Sequence, residues 1–141
     1  MDKVLIDSDV ILDVFLDRPP FAPFASEIFR RCENNEIRGY TTPVIICNLY
    51  YILSRISSHG KIIEKLKQLL MIVDIAVTDK AAVIEALNSD FKDFEDALQN
   101  FTATQNGKIQ IILTRNIKDY QKSTLAVFSP EMYLKNQNGT R

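Results

Sequence analysis

Val4-Leu5-Ile6-Asp7-Ser8-Asp9-Val10-Ile11-Leu12-Asp13 changes its hydrophobic period at the first aspartate. Three consecutive apolar residues suit a short strand buried on both faces, whereas Val10, Ile11, Val14 and Phe15 recur at helical spacing over residues 8–16. The stretch therefore reads as strand, aspartate, helix. Asp7 falls at the carboxyl end of the strand and immediately before the helix. In open α/β sheets that is where ligands bind.

The rest of the chain repeats the alternation. Arg18-Pro19-Pro20 interrupts the first helix, a second amphipathic stretch occupies residues 23–32, and Asn34-Asn35 is a polar stop. Arg38-Gly39-Tyr40-Thr41-Thr42 reads as a second strand, and Pro43 suits the first turn of a helix. Residues 44–56 are mostly apolar, which predicts a helix largely buried against the sheet and stopped by Ser57-Ser58-His59-Gly60. Ile62, Ile63, Leu66, Leu69 and Leu70 predict a fourth helix, residues 72–77 a third strand, and Thr78 or Asp79 the cap of a further helix. A helix is expected from residues 90–93 to Thr104 with Asn106-Gly107 as its stop, then strands over 109–113 and 125–128, and one helical turn over 130–134.

Five short strands separated by helices need crossover connections, so the fold class is α/β: a three-layer α/β/α sandwich around a mostly parallel five-stranded sheet. At 141 residues the chain fits one domain, expected over residues 1–134, with a polar tail at 135–141. No internal repeat or linker interrupts it.

Composition narrows the function. A net charge of −1 and a pI near 5.8 argue against a general polyanion-binding surface, so any contact with nucleic acid is expected to be local. No apolar run reaches the ~20 residues of a membrane span, and the chain runs from Met1-Asp2-Lys3 directly into a strand, so a cytoplasmic protein without membrane association is expected. Cys32 and Cys47 form no metal-ligand spacing with the single His59 and are expected to be reduced, buried small hydrophobes.

The acids carry the chemistry. Asp7 ends the first strand, Thr114-Arg115-Asn116-Ile117-Lys118-Asp119 follows the fourth, and Asp93-Phe94-Glu95-Asp96-Ala97-Leu98 opens the helix before that fourth strand. All three segments are expected at one rim of the sheet. Carboxylates gathered in a cleft raise one another's pKa unless a cation neutralises them, and a site poor in His and Cys suits a hard ion such as Mg2+ or Mn2+. The plain alternative for each is structural: Asp7 and Asp93 as helix caps and Asp119 as a turn residue. Asp13, Asp17, Asp74 and Asp90 are expected to be solvated surface or cap residues.

Leu5-Ile6-Asp7-Ser8-Asp9 resembles the opening of PIN-domain ribonucleases, in which hydrophobic residues precede Asp-Thr-Asn or Asp-Ser-Asn. Asn48-Leu49-Tyr50-Tyr51-Ile52-Leu53, Asp93-Phe94-Glu95-Asp96-Ala97-Leu98 and Thr114-Arg115-Asn116-Ile117-Lys118-Asp119-Tyr120 resemble the remaining blocks in the same order, with the bacterial VapC-like branch most similar. The resemblance places the family's four acidic positions on Asp7, Asn48, Asp96 and Asn116. Two of the four are amides here, and an amide carries no negative charge. The expected catalytic set is therefore Asp7, Asp96, Asp119, Asn48 and Asn116, with a metal held by Asp7 and Asp96 and assisted by Asp9. Ser8 and Arg115 are the expected substrate contacts, although Arg115 equally suits an ion pair with a nearby Asp.

What the resemblance implies is a metal-dependent endoribonuclease acting on RNA, as the toxin of a type II toxin–antitoxin pair. A cognate antitoxin and a homodimer would be its partners, with Tyr50 and Tyr51 near a contact face. Two alternatives stand beside it. One is a PIN fold weakened by its amides and acting as an RNA- or protein-binding module. The other is a haloacid-dehalogenase-like phosphatase, for which Asp7-Ser8-Asp9 supplies the DxD opening but no later Lys and acidic pair follow in order.

Overall fold

The computed structural model describes residues 1–106 and 108–139. Strands β1 (Lys3–Ile6), β2 (Arg38–Thr41), β3 (Asp74–Ile75), β4 (Ile111–Leu113) and β5 (Ala126–Phe128) form one sheet in the order β3-β2-β1-β4-β5. Every neighbouring pair is parallel. Among the described residues seven α-helices flank the sheet: α1 (Ser8–Phe15), α2 (Ala22–Glu33), α3 (Pro43–Leu53), α4 (His59–Leu70), α5 (Lys80–Leu87), α6 (Phe94–Asn106) and α7 (Pro130–Gly139).

β1 is the centre of the sheet. Val4, Leu5 and Ile6 are all fully buried, and successive residues of a strand point to opposite faces, so both faces at the centre are covered. Each such side chain contributes on the order of 1.5–3 kcal/mol through burial. Leu5 is in register with Tyr40 on one side and Ile112 on the other. The chain moves outward from β1 through β2 to β3, then returns to the other side of β1 as β4 and β5. The strand order thus reverses between β1 and β4, and the crevice beyond their carboxyl ends is the switch point of the fold.

Local chemistry explains the helix ends. Thr42 caps α3 by accepting from the Ile45 N–H at 3.1 Å, with Pro43 at the first helical position. Asp79 caps α5 by accepting from the Ala82 N–H at 3.0 Å. Asn35 takes a left-handed conformation, φ 59°, just past α2, which makes the polar stop a backbone event. Gly39 is a close-approach position: a Cβ there would lie 2.9 Å from Cys32 Sγ and 3.1 Å from Ile6 Cδ1, so α2 packs against β2 only because the side chain is missing.

The structure departs from the sequence reading in several places. β3 is two residues long instead of six, its ladder with β2 being limited to Tyr40 opposite Asp74 and Thr41 opposite Ile75. The last helix runs on to Gly139 instead of making the one turn expected over 130–134, and Tyr133 ties it down by donating to Asp2 Oδ2 at 2.6 Å. Thr140, Arg141 and the Gly107 of the expected helix stop lie outside the described residues. Cys32 is buried as expected, but Cys47 is exposed on the outer side of α3. That helix is only one-sided in its burial: Ile45, Leu49 and Leu53 face the core while Tyr51 and Ile52 are exposed. Among the described residues no helix is long and apolar enough to cross a membrane.

Candidate metal centre

Asp7 sits where the fold's geometry sends it. Its N–H extends the β1–β4 ladder by donating to Leu113 O at 2.9 Å, and its carboxylate caps α1 by accepting from the Ser8 N–H at 2.8 Å. The capping reading is therefore correct. It uses only Oδ1. The other oxygen, Oδ2, accepts from Thr114 Oγ1 at 2.9 Å and from the Tyr120 hydroxyl at 3.3 Å.

Tyr120 closes the 3-10 turn Ile117–Tyr120 that follows β4, and it is almost wholly buried. Its hydroxyl also lies 3.4 Å from Asp96 Oδ1. One phenolic oxygen thus stands between two carboxylates that are far apart in sequence. Asp96 reaches this point from the first turn of α6, a helix started by Asp93, whose Oδ1 accepts from the Asp96 N–H at 3.0 Å.

Asp9 is held one turn into the same constellation. Its Oδ2 accepts from the Arg115 N–H at 3.0 Å and from Thr114 Oγ1 at 3.3 Å, which ties α1 to the segment after β4. Its Oδ1 is buried without a hydrogen-bond partner. An orphaned carboxylate oxygen beside other carboxylates is unfavourable unless a cation or a donor faces it.

The electrostatics agree. Burial pushes the Asp7 carboxyl up to about 6, with repulsion from Asp9 adding to it and the bonds from Ser8, Thr114 and Tyr120 opposing it. Asp96 is pushed up to about 7, first by burial and then by Asp7, Asp93 and Asp119, against the bond from Tyr120. Asp9 is raised by burial, and the Arg115 N–H opposes that shift. The Tyr120 phenol is held well above its ordinary range by burial and by the two carboxylates, so it remains a donor.

These residues fit a hard divalent cation. Two carboxylates that repel, together with the partnerless oxygen of Asp9, supply the oxygen donors such an ion takes alongside water. Among the described residues no three His, Cys, Asp or Glu side chains close up into a ready-made ligand cluster, so protein donors alone would leave coordination positions to water and phosphate.

The remaining expected site residues are distributed unevenly. Asp119 is exposed on the 3-10 turn and acts on Asp96 through its charge. Asn116 is also exposed, and its side chain makes no capping bond. Asn48 does not reach Asp7 or Asp96 by a hydrogen bond; its Nδ2 donates to Glu95 Oε1. Ser8 contributes its backbone N–H to Asp7. Arg115 is paired with an aspartate: Nε and Nη2 donate to Asp13 at 2.8 and 3.1 Å, and its guanidinium stacks 3.9 Å over the Phe21 ring.

Asp13 corrects the sequence reading. It is fully buried, and besides Arg115 it accepts from Arg18 Nε at 2.9 Å. Two guanidinium partners are what allow a carboxylate to lie in the interior at the end of an apolar helix face. Thr114, Tyr120 and Glu95 were not singled out in the sequence. Their only signal there is position, since all three stand beside an acidic block.

A PIN-domain family model matches residues 3–118. The chain belongs to the PIN-domain family. PIN domains are metal-dependent nucleases, so membership implies use of a divalent cation. Among curated proteins, this PIN domain is 29% identical to Ribonuclease VapC1 of Aquifex aeolicus (strain VF5) over 142 residues, covering 97% of this chain and 96% of that one. Solved structures share its fold. VapBC2 from Rickettsia felis, bound to a DNA fragment from its promoter, aligns with a TM-score of 0.67 at 12% identity over 90% of this chain and 97% of its own. The sarcin–ricin-loop-cleaving toxin VapC20 of Mycobacterium tuberculosis aligns with a TM-score of 0.64 at 12% identity over 84% and 95%. PIN membership also sets aside the haloacid-dehalogenase-like reading of Asp7-Ser8-Asp9.

Proposed function

We propose that this PIN domain is an endoribonuclease that uses Mg2+ or Mn2+ to hydrolyse RNA phosphodiester bonds, and that it is the toxin of a toxin–antitoxin pair. The observation that carries the proposal is the meeting of Asp7 and Asp96 at the Tyr120 hydroxyl. A divalent cation bound there supplies an activated water and offsets charge on the scissile phosphate.

The protein's own residues do the rest. Asp7 is fixed on three sides by Ser8, Thr114 and Tyr120, so it needs no rearrangement when substrate arrives. A cleft of about 330 Å³ is lined by Lys92, Lys118 and Lys122 together with Asp90, Asp93 and Asp119. Three ammonium groups beside the carboxylates give a phosphate backbone a local landing place on a protein whose net charge is only −1. Ser8 and Arg115 flank this centre as further candidate substrate contacts, the latter from its seat on Asp13.

An antitoxin fits the surface at the end of α3, where Tyr51, Ile52 and Ile56 are exposed together. Self-association as a homodimer belongs to the same reading. The weakened-nuclease alternative rests on Asn48 and Asn116, whose amides carry no charge.

Purified protein with Mn2+ is expected to cut RNA, and Asp7→Ala and Asp96→Ala to lose cutting while keeping their folded far-ultraviolet spectra. Equal cutting by both variants would defeat the proposal. RNA binding without cutting, and without any Mn2+ site, would favour the binding module.

A further inference from the structure

The position on α3 at which the family resemblance expects an acid is occupied by Asn48, yet a carboxylate is present there. It comes from another element. Glu95, in the first turn of α6, accepts from Asn48 Nδ2 across a separation of 47 residues. An ionised carboxylate can only accept, so the amide has to present its nitrogen to Glu95, which aligns the two groups in one sense.

A first-turn glutamate has an ordinary role, since negative charge near a helix N-terminus is favourable when solvated. Glu95 is placed differently. It is half-buried and turned to α3, where its carboxylate meets the Asn48 amide instead of lying free in solvent. Its chain neighbour Asp96 is the acid that meets Asp7 at Tyr120. One bond to Asn48 leaves the carboxylate further lone pairs for water or a cation.

We infer that Glu95 supplies the carboxylate charge which position 48 lacks, with Asn48 as the residue that positions it toward the metal centre. The inference rests on the reading of Asp7 and Asp96 as a cation-binding pair. It makes the amide at position 48 a relocation of charge from α3 to α6.

Mn2+ titration calorimetry on the full chain, with Mn2+ electron paramagnetic resonance as a second readout, separates the cases. Glu95→Gln is expected to weaken Mn2+ binding about 10- to 100-fold without lowering the metal-free Tm. Asn48→Leu is expected to weaken it as well. The double variant Asn48→Glu with Glu95→Gln, which moves the charge back to α3, is expected to regain most of the affinity.

Wild-type binding by Glu95→Gln, or a double variant as weak as Glu95→Gln alone, overturns the assignment of Glu95. Unchanged binding in Asn48→Leu overturns the positioning role. A wild-type protein that takes up no Mn2+ overturns the cation pair itself, and this inference with it.

Discussion

Asp7 and Asp96 share a single hydrogen-bond donor, the Tyr120 hydroxyl, which stands 3.3 Å from one carboxylate and 3.4 Å from the other. One acid arrives from the end of a strand and the other from the start of a helix, and the donor comes from a turn after β4. The repulsion between the two acids is built in by the fold, because β1 and β4 are neighbours where the strand order reverses and α6 packs on the turn that follows β4.

The first expectation concerns pH. Asp7 and Asp96 ionise near 6 and 7 in the folded protein but near 3.8 in an ordinary peptide environment. Between those limits the folded state binds more protons than the unfolded chain, so metal-free stability falls as pH rises through this window. Glu27 has the opposite shift, down to about 2, and its contribution is already complete above 4.5, so it does not mask the effect. Thermal melts in chelator are expected to show a lower Tm at neutral than at mildly acidic pH, and Mn2+ is expected to raise Tm at neutral pH. A chelated protein whose Tm rises steadily to neutrality would contradict the crowding of these acids.

Tyr120→Phe removes the shared donor and leaves the ring packed against Phe91. Both carboxyls lose a bond that favours their ionised form, so the pH midpoint for Mn2+ binding should move upward. The stability change should be small, on the order of 1 kcal/mol, since repulsion is relieved by protonation. An unmoved midpoint would show that the hydroxyl does not tune the pair.

Asp13→Ala should destabilise the protein by about 2–3 kcal/mol in urea titration, since charge-assisted bonds to Arg18 and Arg115 are lost together. Part of the effect should reach the metal centre, because the Arg115 backbone N–H holds Asp9. A loss of a few tenths of a kcal/mol would mean the pairing is as weak as that on an exposed surface.

Gly39→Ala tests the packing of α2 on the sheet. The added methyl would meet Cys32, Val73 and Ile6 at 2.9–3.1 Å, so a cost of about 1–3 kcal/mol is expected from the urea midpoint. Little change would mean that α2 can slide.

Replacing Lys92, Lys118 and Lys122 together by Gln should weaken binding of a noncleavable RNA and flatten its salt dependence, leaving Tm nearly unchanged. Filter binding across a salt series reads both. An unaltered slope would place the phosphate contacts elsewhere.

Much of this was legible in the residues. The change of period at Asp7 located the strand, the cap and the site at once, and the apolar run of β1 reported a strand covered on both faces. Asp93 was readable as a cap because its carboxylate does what Asp does at that position in any helix. The illegible parts are those decided by contacts between distant segments. Arg18 lies five residues from Asp13, but nothing local announces Arg115, the second arginine that lets it be buried. The length of β3 is set by how far it runs alongside β2, and Tyr51 and Ile52 look apolar enough to be core until α3 is seen to bury one side only. Tyr120 and Glu95 belong to the same class, for their partners lie on other elements.

The most direct measurement is a crystal soaked in Mn2+ and recorded at a wavelength where manganese scatters anomalously. The expected result is a single strong peak within roughly 2.0–2.6 Å of a carboxylate oxygen of both Asp7 and Asp96, with water filling the remaining positions. A peak bound elsewhere, or none near either carboxylate in a crystal that holds manganese, would contradict the assignment of this rim as the metal centre.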